Sequence, residues 1–256
     1  MRLKDWARSR NGARAVGVTA TVAFFVLVEA LIRAGLVNQF IVPLPSQIIA
    51  SIPRIIAEEH VLDRFLQTMQ EVLWASVMIA VVGISIGVLF FKFRGLRLAC
   101  ESWVGAMAAA PIVLLYPLFL VIFGRSATTI VMIGFVAGLA PVILKTIEGL
   151  AGTRAVLLNV GRSFKVTPSQ QFWKILLPAA LPSVFVGLRL GLIFAMINIV
   201  GVEFLINFGG LGQLINELAE RYDLPGTYGA IGFVILTSML FFDVTARIER
   251  WLRPVE

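Results

Sequence analysis

One cysteine and one histidine stand in 256 residues. With Cys100 alone, no intrachain disulfide can form and no thiolate metal cluster can be assembled. With His60 alone, a histidine-rich metal site is excluded and little is left for acid–base chemistry of the usual kind. Charge is scarce too: 14% of residues are charged, against about 25% in ordinary soluble domains. Apolar residues make up 59% and the mean hydropathy is +0.91. A soluble fold of this length could not hide so much apolar surface, so lipid must do part of the solvating. A soluble globular enzyme, a disordered chain and a secreted disulfide scaffold are therefore excluded. The formal charge is +7, from 22 basic and 15 acidic residues; in a membrane protein the position of the charge matters more than its sum.

A helix needs about 20 predominantly apolar residues to cross the hydrocarbon core. Six stretches qualify: 15–36, 72–91, 98–123, 128–144, 175–199 and 228–244. Pro111 and Pro117 interrupt the third, which is expected to be packed inside a bundle where neighbours satisfy the freed carbonyls. The first follows a basic leader over 1–14, but its apolar run exceeds the usual 7–15-residue signal core and no small-x-small cleavage site follows. It reads as a retained anchor.

Sorting the basic residues gives the topology. With the N-terminus inside, 16 of the 22 face inward: the leader, Lys92, Arg94 and Arg97, then Lys145, Arg154, Arg162, Lys165 and Lys174, and finally Arg247, Arg250 and Arg253. Five face outward (Arg33, Arg54, Arg64, Arg125, Arg221), and Arg189 lies within a span. That bias predicts N-in and C-in. Three spans also carry paired glycines at small-xxx-small spacing: Gly83 and Gly87, Gly134 and Gly138, Gly187 and Gly191. Such pairs let helix backbones approach closely where no hydrophobic drive brings them together.

Two segments lie outside the spans. Over 43–71 an amphipathic pattern places Ile48, Ile49, Ile52, Ile55 and Ile56 on one face and Gln47, Ser51, Arg54 and Glu58 opposite, which predicts helices on the outer membrane surface with an early kink at Pro53. The inner loop 151–174 carries an apolar stripe of Val156, Leu157, Val160 and Phe164. Thr167-Pro168-Ser169-Gln170 then reads as a capping box with Pro at N1, starting a second short helix that should stop before Pro178. The product is a basic cytosolic helix-turn-helix with Phe164, Phe172 and Trp173 available for contact. It suits a partner protein; nucleic acid is not the expected partner, because the loop is short and tethered between two membrane helices.

Ile175-Leu176-Leu177-Pro178 after this helix pair resembles the EAA loop of binding-protein-dependent ABC importer permeases, which reads E-A-A-x3-G-x9-I-x-L-P. The spacing is kept and I-x-L-P is intact, whereas Asn159, Val160 and Gly161 stand at E-A-A and Lys165 stands at the glycine. Val42-Pro43-Leu44-Pro45-Ser46 resembles the L-P-x-P-S element of sulfonate, taurine and nitrate permeases. Pro117-Leu118-Phe119 with Phe123-Gly124, then Leu181-Pro182, Gly187-Leu188-Arg189, Glu203 and Gly210-Leu211-Gly212, resemble further elements of that subgroup.

The resemblance implies an all-α, six-helix type I ABC importer permease with a cytosolic coupling helix-turn-helix between spans 4 and 5. It is expected in the bacterial inner membrane, carrying a small, anionic, sulfonate-, taurine- or nitrate-like solute inward. The branch also handles vitamin precursors and aromatic acids. The implied partners are cytosolic ABC ATPases, a second permease, an external solute-binding protein and the lipid bilayer. No cofactor is expected on this chain: it lacks a G-x-x-x-x-G-K-[ST] loop, so ATP and Mg belong to the partner ATPase. By the same resemblance Asn159, Gly161, Arg162, Phe164, Lys165, Gln170, Trp173, Ile175, Leu177 and Pro178 form the ATPase-coupling surface. A lysine with φ > 0 is costly, so Lys165 suggests a different bend or a new contact to the ATPase. The altered positions leave two readings open: pairing with a non-identical permease carrying the ordinary motif, or sequence drift.

Ionisable groups inside a bilayer are expensive and functional by default. Glu29, Glu101 and Asp243 lie near span ends, where solvation explains them. Arg189 is deep in the fifth span, and Glu203 is roughly 21 Å further along at about 1.5 Å per residue, too far for an intrahelical pair. Arg189, Asn198 and Glu203 are thus the translocation-path candidates, with a bundle-locking ion pair the competing role for Arg189. A stand-alone channel or secondary carrier is the alternative class, against which the protruding inner helix pair argues. An embedded enzyme is poorly equipped, having no facing carboxylate pair inside the spans.

Overall fold

The computed structural model describes residues 10–252, and every regular element among them is helical. Most of the basic leader and Arg253 lie outside the described residues. The chain divides into two units, 1–61 with 214–233 and 62–213 with 234–256.

The first unit holds α1 (Arg10–Arg33) and α2 (Pro45–Glu58). Glu29 near the end of α1 pairs with Arg33 at 2.6 Å and accepts from the backbone N–H and hydroxyl of Ser46 at 3.1 and 2.9 Å. A carboxylate at a helix N-terminus takes up donors that the helix cannot satisfy itself, so the L-P-x-P-S element ties the start of α2 to α1. The sequence expectation for the faces of α2 is corrected here. Ser51, Ile55 and Glu59 are buried, whereas Ile49 and Ile56 are 68% and 55% exposed. The reason is a close approach: a methyl at Gly229 would stand 2.8 Å from Ile55 Cδ1 and 3.3 Å from Ser51 Oγ. A small side chain is needed there, and the Ser51 hydroxyl reaches the Pro225 carbonyl at 3.1 Å.

The second unit is built around α7 (Ala127–Ala151), packed along α10 (Leu177–Ile206). All three glycine pairs work where helices pack against α7, two of them at its junction with α10. Gly138 and Gly191 face each other so closely that a methyl on either would stand 2.5–2.6 Å from the other's carbonyl oxygen. Gly187 faces Pro141 and Lys145, Gly134 faces Ile199, and Gly83 and Gly87 face Val142 and Thr146. Helices without a hydrophobic drive for association stay together through this backbone proximity.

Helix bounds differ from the expected spans in two instructive places. α3 (Val61–Met78) passes through a π-helical turn (Ile79–Gly83) into α4 (Ile84–Lys92) without a break. Residues 61–71 are therefore the first turns of a long apolar helix rather than a separate surface helix, since neither Pro nor Gly stands before Gly83 to end it. The expected third span is broken: α5 (Arg94–Ala109) and α6 (Tyr116–Phe123), joined through a 3₁₀ turn (Ile112–Leu115), are bent by 95°. Pro111 has no N–H and holds Ala110 extended, at ψ 137°, which ends the helix. The first, fourth, fifth and sixth apolar stretches fall in α1, α7, α10 and α12 (Leu224–Leu252), α1 stopping at Arg33 rather than Leu36.

Candidate functional site

The hairpin between α7 and α10 is the most specific construction in the chain. α8 (Ala155–Ser163) ends at Phe164 with Lys165 at φ +50°. The Val166 N–H donates to the Gly161 carbonyl at 3.2 Å and the Lys165 N–H to the Arg162 carbonyl at 2.9 Å. Those two bonds make a complete Schellman motif with Lys165 at the left-handed position that glycine usually fills. The expectation of a different bend at Lys165 is thereby corrected: the backbone keeps the turn and the lysine bears its strain. The same device recurs where α11 (Gly210–Glu220) ends, with Tyr222 at φ +58° and Asp223 N–H donating to the Leu218 carbonyl at 3.0 Å. A left-handed conformation costs an L-residue about 1–2 kcal/mol. Lys165→Gly should therefore stabilise the chain by about 1 kcal/mol, raising its melting temperature in detergent by about 2–4 °C; an unchanged or lower value contradicts this origin of the strain.

Thr167 caps α9 (Pro168–Gln171): its hydroxyl accepts from the Gln170 N–H at 3.3 Å, and Gln170 Oε1 accepts from the Thr167 N–H at 2.9 Å. The helix does not stop before Pro178, as the sequence predicts. It widens into a π-helical turn (Phe172–Leu176), where the Leu177 N–H reaches back five residues to Phe172, and runs on into α10. A proline lacks the donor and crowds the carbonyl four residues before it; the wider turn just ahead of Pro178 accommodates both effects.

Ile175 locks the hairpin, for a methyl at Gly161 would stand 2.6 Å from its Cδ1. The last E-A-A position and the I of I-x-L-P are thus one contact. Phe164 is 78% and Trp173 64% exposed. Phe172 is turned inward among Leu150, Ala180 and Val184, so of the three aromatics only two are free for contact. Asn159, Arg162 and Gln170 are exposed, Leu177 is half-buried, and Pro178 is exposed. Beside the hairpin, Phe91, Lys92, Ser169 and Trp173 line a pocket of 460 Å³.

The three path candidates are not brought together. Arg189 pairs with the buried Glu249 at 3.1 Å and stacks over Phe242 at 5.4 Å. Asn198 donates to the Phe194 carbonyl of its own helix at 2.8 Å. Glu203 is fully buried: it accepts from the Thr68 hydroxyl at 2.7 Å and the Gly212 N–H at 2.8 Å, while Thr68 Oγ1 accepts from the Leu211 N–H at 2.9 Å. Glu203 therefore caps the start of α11 across the 207–210 turn. Glu249 and Thr68 escaped the sequence reading. Each is ordinary in its own helix, and only the fold supplies the partner 60 or 135 residues away.

Among the described residues, five helices long and apolar enough to cross a membrane, or six if the bent pair α5 and α6 is one span, with an exposed, doubly capped helix hairpin between α7 and α10, define a multi-pass membrane protein. The chain belongs to the family described as binding-protein-dependent transport system inner membrane component, whose profile matches residues 79–254. It is 25% identical over 235 residues to the formylaminopyrimidine transport permease protein ThiX of Halalkalibacterium halodurans, covering 90% of this chain and 93% of that one. To the taurine transport system permease protein TauC of Escherichia coli K12 it is 21% identical over 254 residues, 97% and 92% of the two chains. The fold matches that of the inward-facing MetNI methionine ABC transporter with a TM-score of 0.65 at 19% identity, over 74% of this chain and 94% of that one. The chain is thus a multi-pass inner-membrane permease subunit of an ABC importer, and ATP is hydrolysed on another subunit.

Proposed function

We propose that the hairpin at 155–176 is the element that a cytosolic ATPase grips, and that its movement is passed to the membrane helices as one body. The observation that carries this reading is the direct continuation of the hairpin into α10 through the π-helical turn. A helix that runs unbroken from handle to bundle transmits displacement in the manner of rigid-body switching. Two exposed aromatics at its tip and base supply anchors, with Arg154, Arg162 and Lys174 as a basic rim. The chain is oriented N-in and C-in, supported by the 16-to-5 distribution of basic residues.

The transporter contains two copies of this chain. In support, the altered E-A-A positions still build a capped hairpin, so no second permease with an ordinary motif is needed to supply one. The solute reaches the bundle from an external binding protein. The relatives' names point to small polar organic solutes, with sulfonate-, taurine- and nitrate-like compounds as the reading of the sequence. Arg189 serves as a bundle lock with Glu249 rather than as a way-station for an anion.

Two differently tagged copies expressed together test the assembly. Purification by one tag should recover the other tag and a cytosolic ATPase. Recovery of the ATPase with a single tagged copy and a second, different permease would end the identical-pair reading.

A further inference from the structure

Within the second unit, a polar cluster fastens α3 to the turn at 207–210 and to the start of α11. Gln67 Nε2 donates to the Phe208 carbonyl at 3.2 Å and to Glu71 Oε1 at 3.3 Å. The Thr68 hydroxyl and the Gly212 N–H supply one donor to each oxygen of Glu203, whose carboxyl is seated so close to the turn that a Cβ at Gly210 would collide with it. Glu71 and Glu203 are both buried, and their carboxyls are hydrogen-bonded to each other. The fold thus makes the facing carboxylate pair that the sequence does not show. Glu71 Oε2 is buried and meets no N–H or hydroxyl donor. Among the described residues no cation joins the pair. α7 presents Ala127, Thr128, Val131 and Met132 on this side, and Arg125 before it is engaged with the Asn207 carbonyl. Asp63 and Arg64 lie about 10 Å or more back along α3. The next charged side chain on α10 is Arg189, paired with Glu249; on α11 it is Glu217, paired with Arg221.

Two carboxylates held together in a buried site without a cation repel each other, and a hydrogen bond between two carboxyls needs a proton to make it. The surrounding donors decide which carboxyl carries it. Glu203 accepts on both oxygens, as an ionised carboxylate does. Glu71 Oε2 accepts from nothing and can be a donor itself. We propose that Glu71 and Glu203 form a proton-binding site, in which Glu71 is the acid, its Oε2–H donates to Glu203, and the proton fastens the 207–210 turn and the start of α11 to α3. An O–H bond to an ionised oxygen is short and about twice as strong as a neutral one. Removing the proton sets one carboxylate against another and leaves Glu71 Oε2 buried without a partner, which is costly. The fastening therefore loosens as the medium turns alkaline. None of these residues belongs to the hairpin, so the inference goes beyond the coupling reading without depending on it.

The test compares the full chain in lipid nanodiscs with its Glu71→Gln and Glu203→Gln variants. At neutral pH the infrared spectrum of the unaltered chain should contain the C=O band of one protonated carboxyl, shifted in D2O and missing from Glu71→Gln. No such band, or a band that survives in Glu71→Gln, overturns the proposal. The amide of Glu71→Gln keeps a donor where the acid O–H stands, so this variant folds in normal yield. Glu203→Gln leaves a single acceptor oxygen for the donors of Thr68 and Gly212, and losing a bond to a charged group lowers the folding constant about tenfold or more. Equal losses in the two variants, or failure of Glu71→Gln to fold, overturn the proposal. Proton linkage gives a second measurement. Above about pH 6 the unfolded chain holds no proton on these groups while the folded chain holds one, so the folding constant falls about tenfold for each pH unit. From about pH 6 to 8 the melting temperature of the unaltered chain should therefore fall by about 3 °C per unit relative to that of Glu71→Gln. Parallel profiles for the two overturn the proposal.

Discussion

Gly138→Val leaves almost no correctly folded chain in the membrane. At this position the new side chain meets Ile79 on one side and the Gly191 carbonyl, 2.5 Å from its Cβ, on the other. A neighbouring side chain can rotate away, but a backbone carbonyl of a packed helix cannot, so α7 and α10 must separate. Overpacking typically costs about 1–3 kcal/mol, and a collision with backbone belongs at the top of that range or above it. About 3 kcal/mol corresponds to a loss on the order of a hundredfold in the folded-to-unfolded ratio. Gly191→Val behaves alike, because a methyl there stands 2.6 Å from the Gly138 carbonyl. The control is Gly105→Val, where nothing lies within 4 Å; it leaves the yield unchanged. Gel filtration of a fluorescent fusion in mild detergent reads all three, and a monodisperse peak of ordinary height for Gly138→Val contradicts the packing account.

Phe164→Ala and Trp173→Ala have the opposite signature: a normal fold and a lost partner. Both side chains are mostly exposed, and replacing exposed side chains usually changes stability by less than about 0.5 kcal/mol. An aromatic anchor seated in a partner's groove is worth about 2 kcal/mol or more on truncation, so the ATPase is retained about thirtyfold less tightly by each variant. Tyr222→Ala removes an aromatic that is still more exposed and lies in the other unit; it leaves ATPase retention intact. Equal retention by Phe164→Ala, Trp173→Ala and Tyr222→Ala would remove the hairpin from the interface. Gly161 adds a structural counterpart, because a larger residue there displaces Ile175 and loosens the hairpin from within.

What could be read without the fold was local. The Thr167–Gln170 capping box, the break at Pro111 and the glycine spacing all rest on chemistry within a few residues, and the helices form accordingly. What could not be read depends on partners distant in sequence. Ser51 belongs to the polar face of an isolated α2 until Gly229 gives it a place to bury. Arg189 looks like a path residue until Glu249 arrives from a helix 60 residues on. Lys165 is intermediate. Its position at a turn was legible from the spacing, but that a lysine would hold the left-handed conformation was not, because bonds to Gly161 and Arg162 carry the turn.

Site-directed cross-linking tests the role of the hairpin most directly. In a Cys100→Ser background, Phe164→Cys provides the one thiol of the chain. In native membranes a short thiol-reactive cross-linker from this position should join the permease to the cytosolic ATPase, with a yield that changes when ATP is trapped on the motor. Labelling of the same thiol by an impermeant reagent added outside intact cells, with no ATPase cross-link, would contradict both the orientation of the hairpin and its part in coupling.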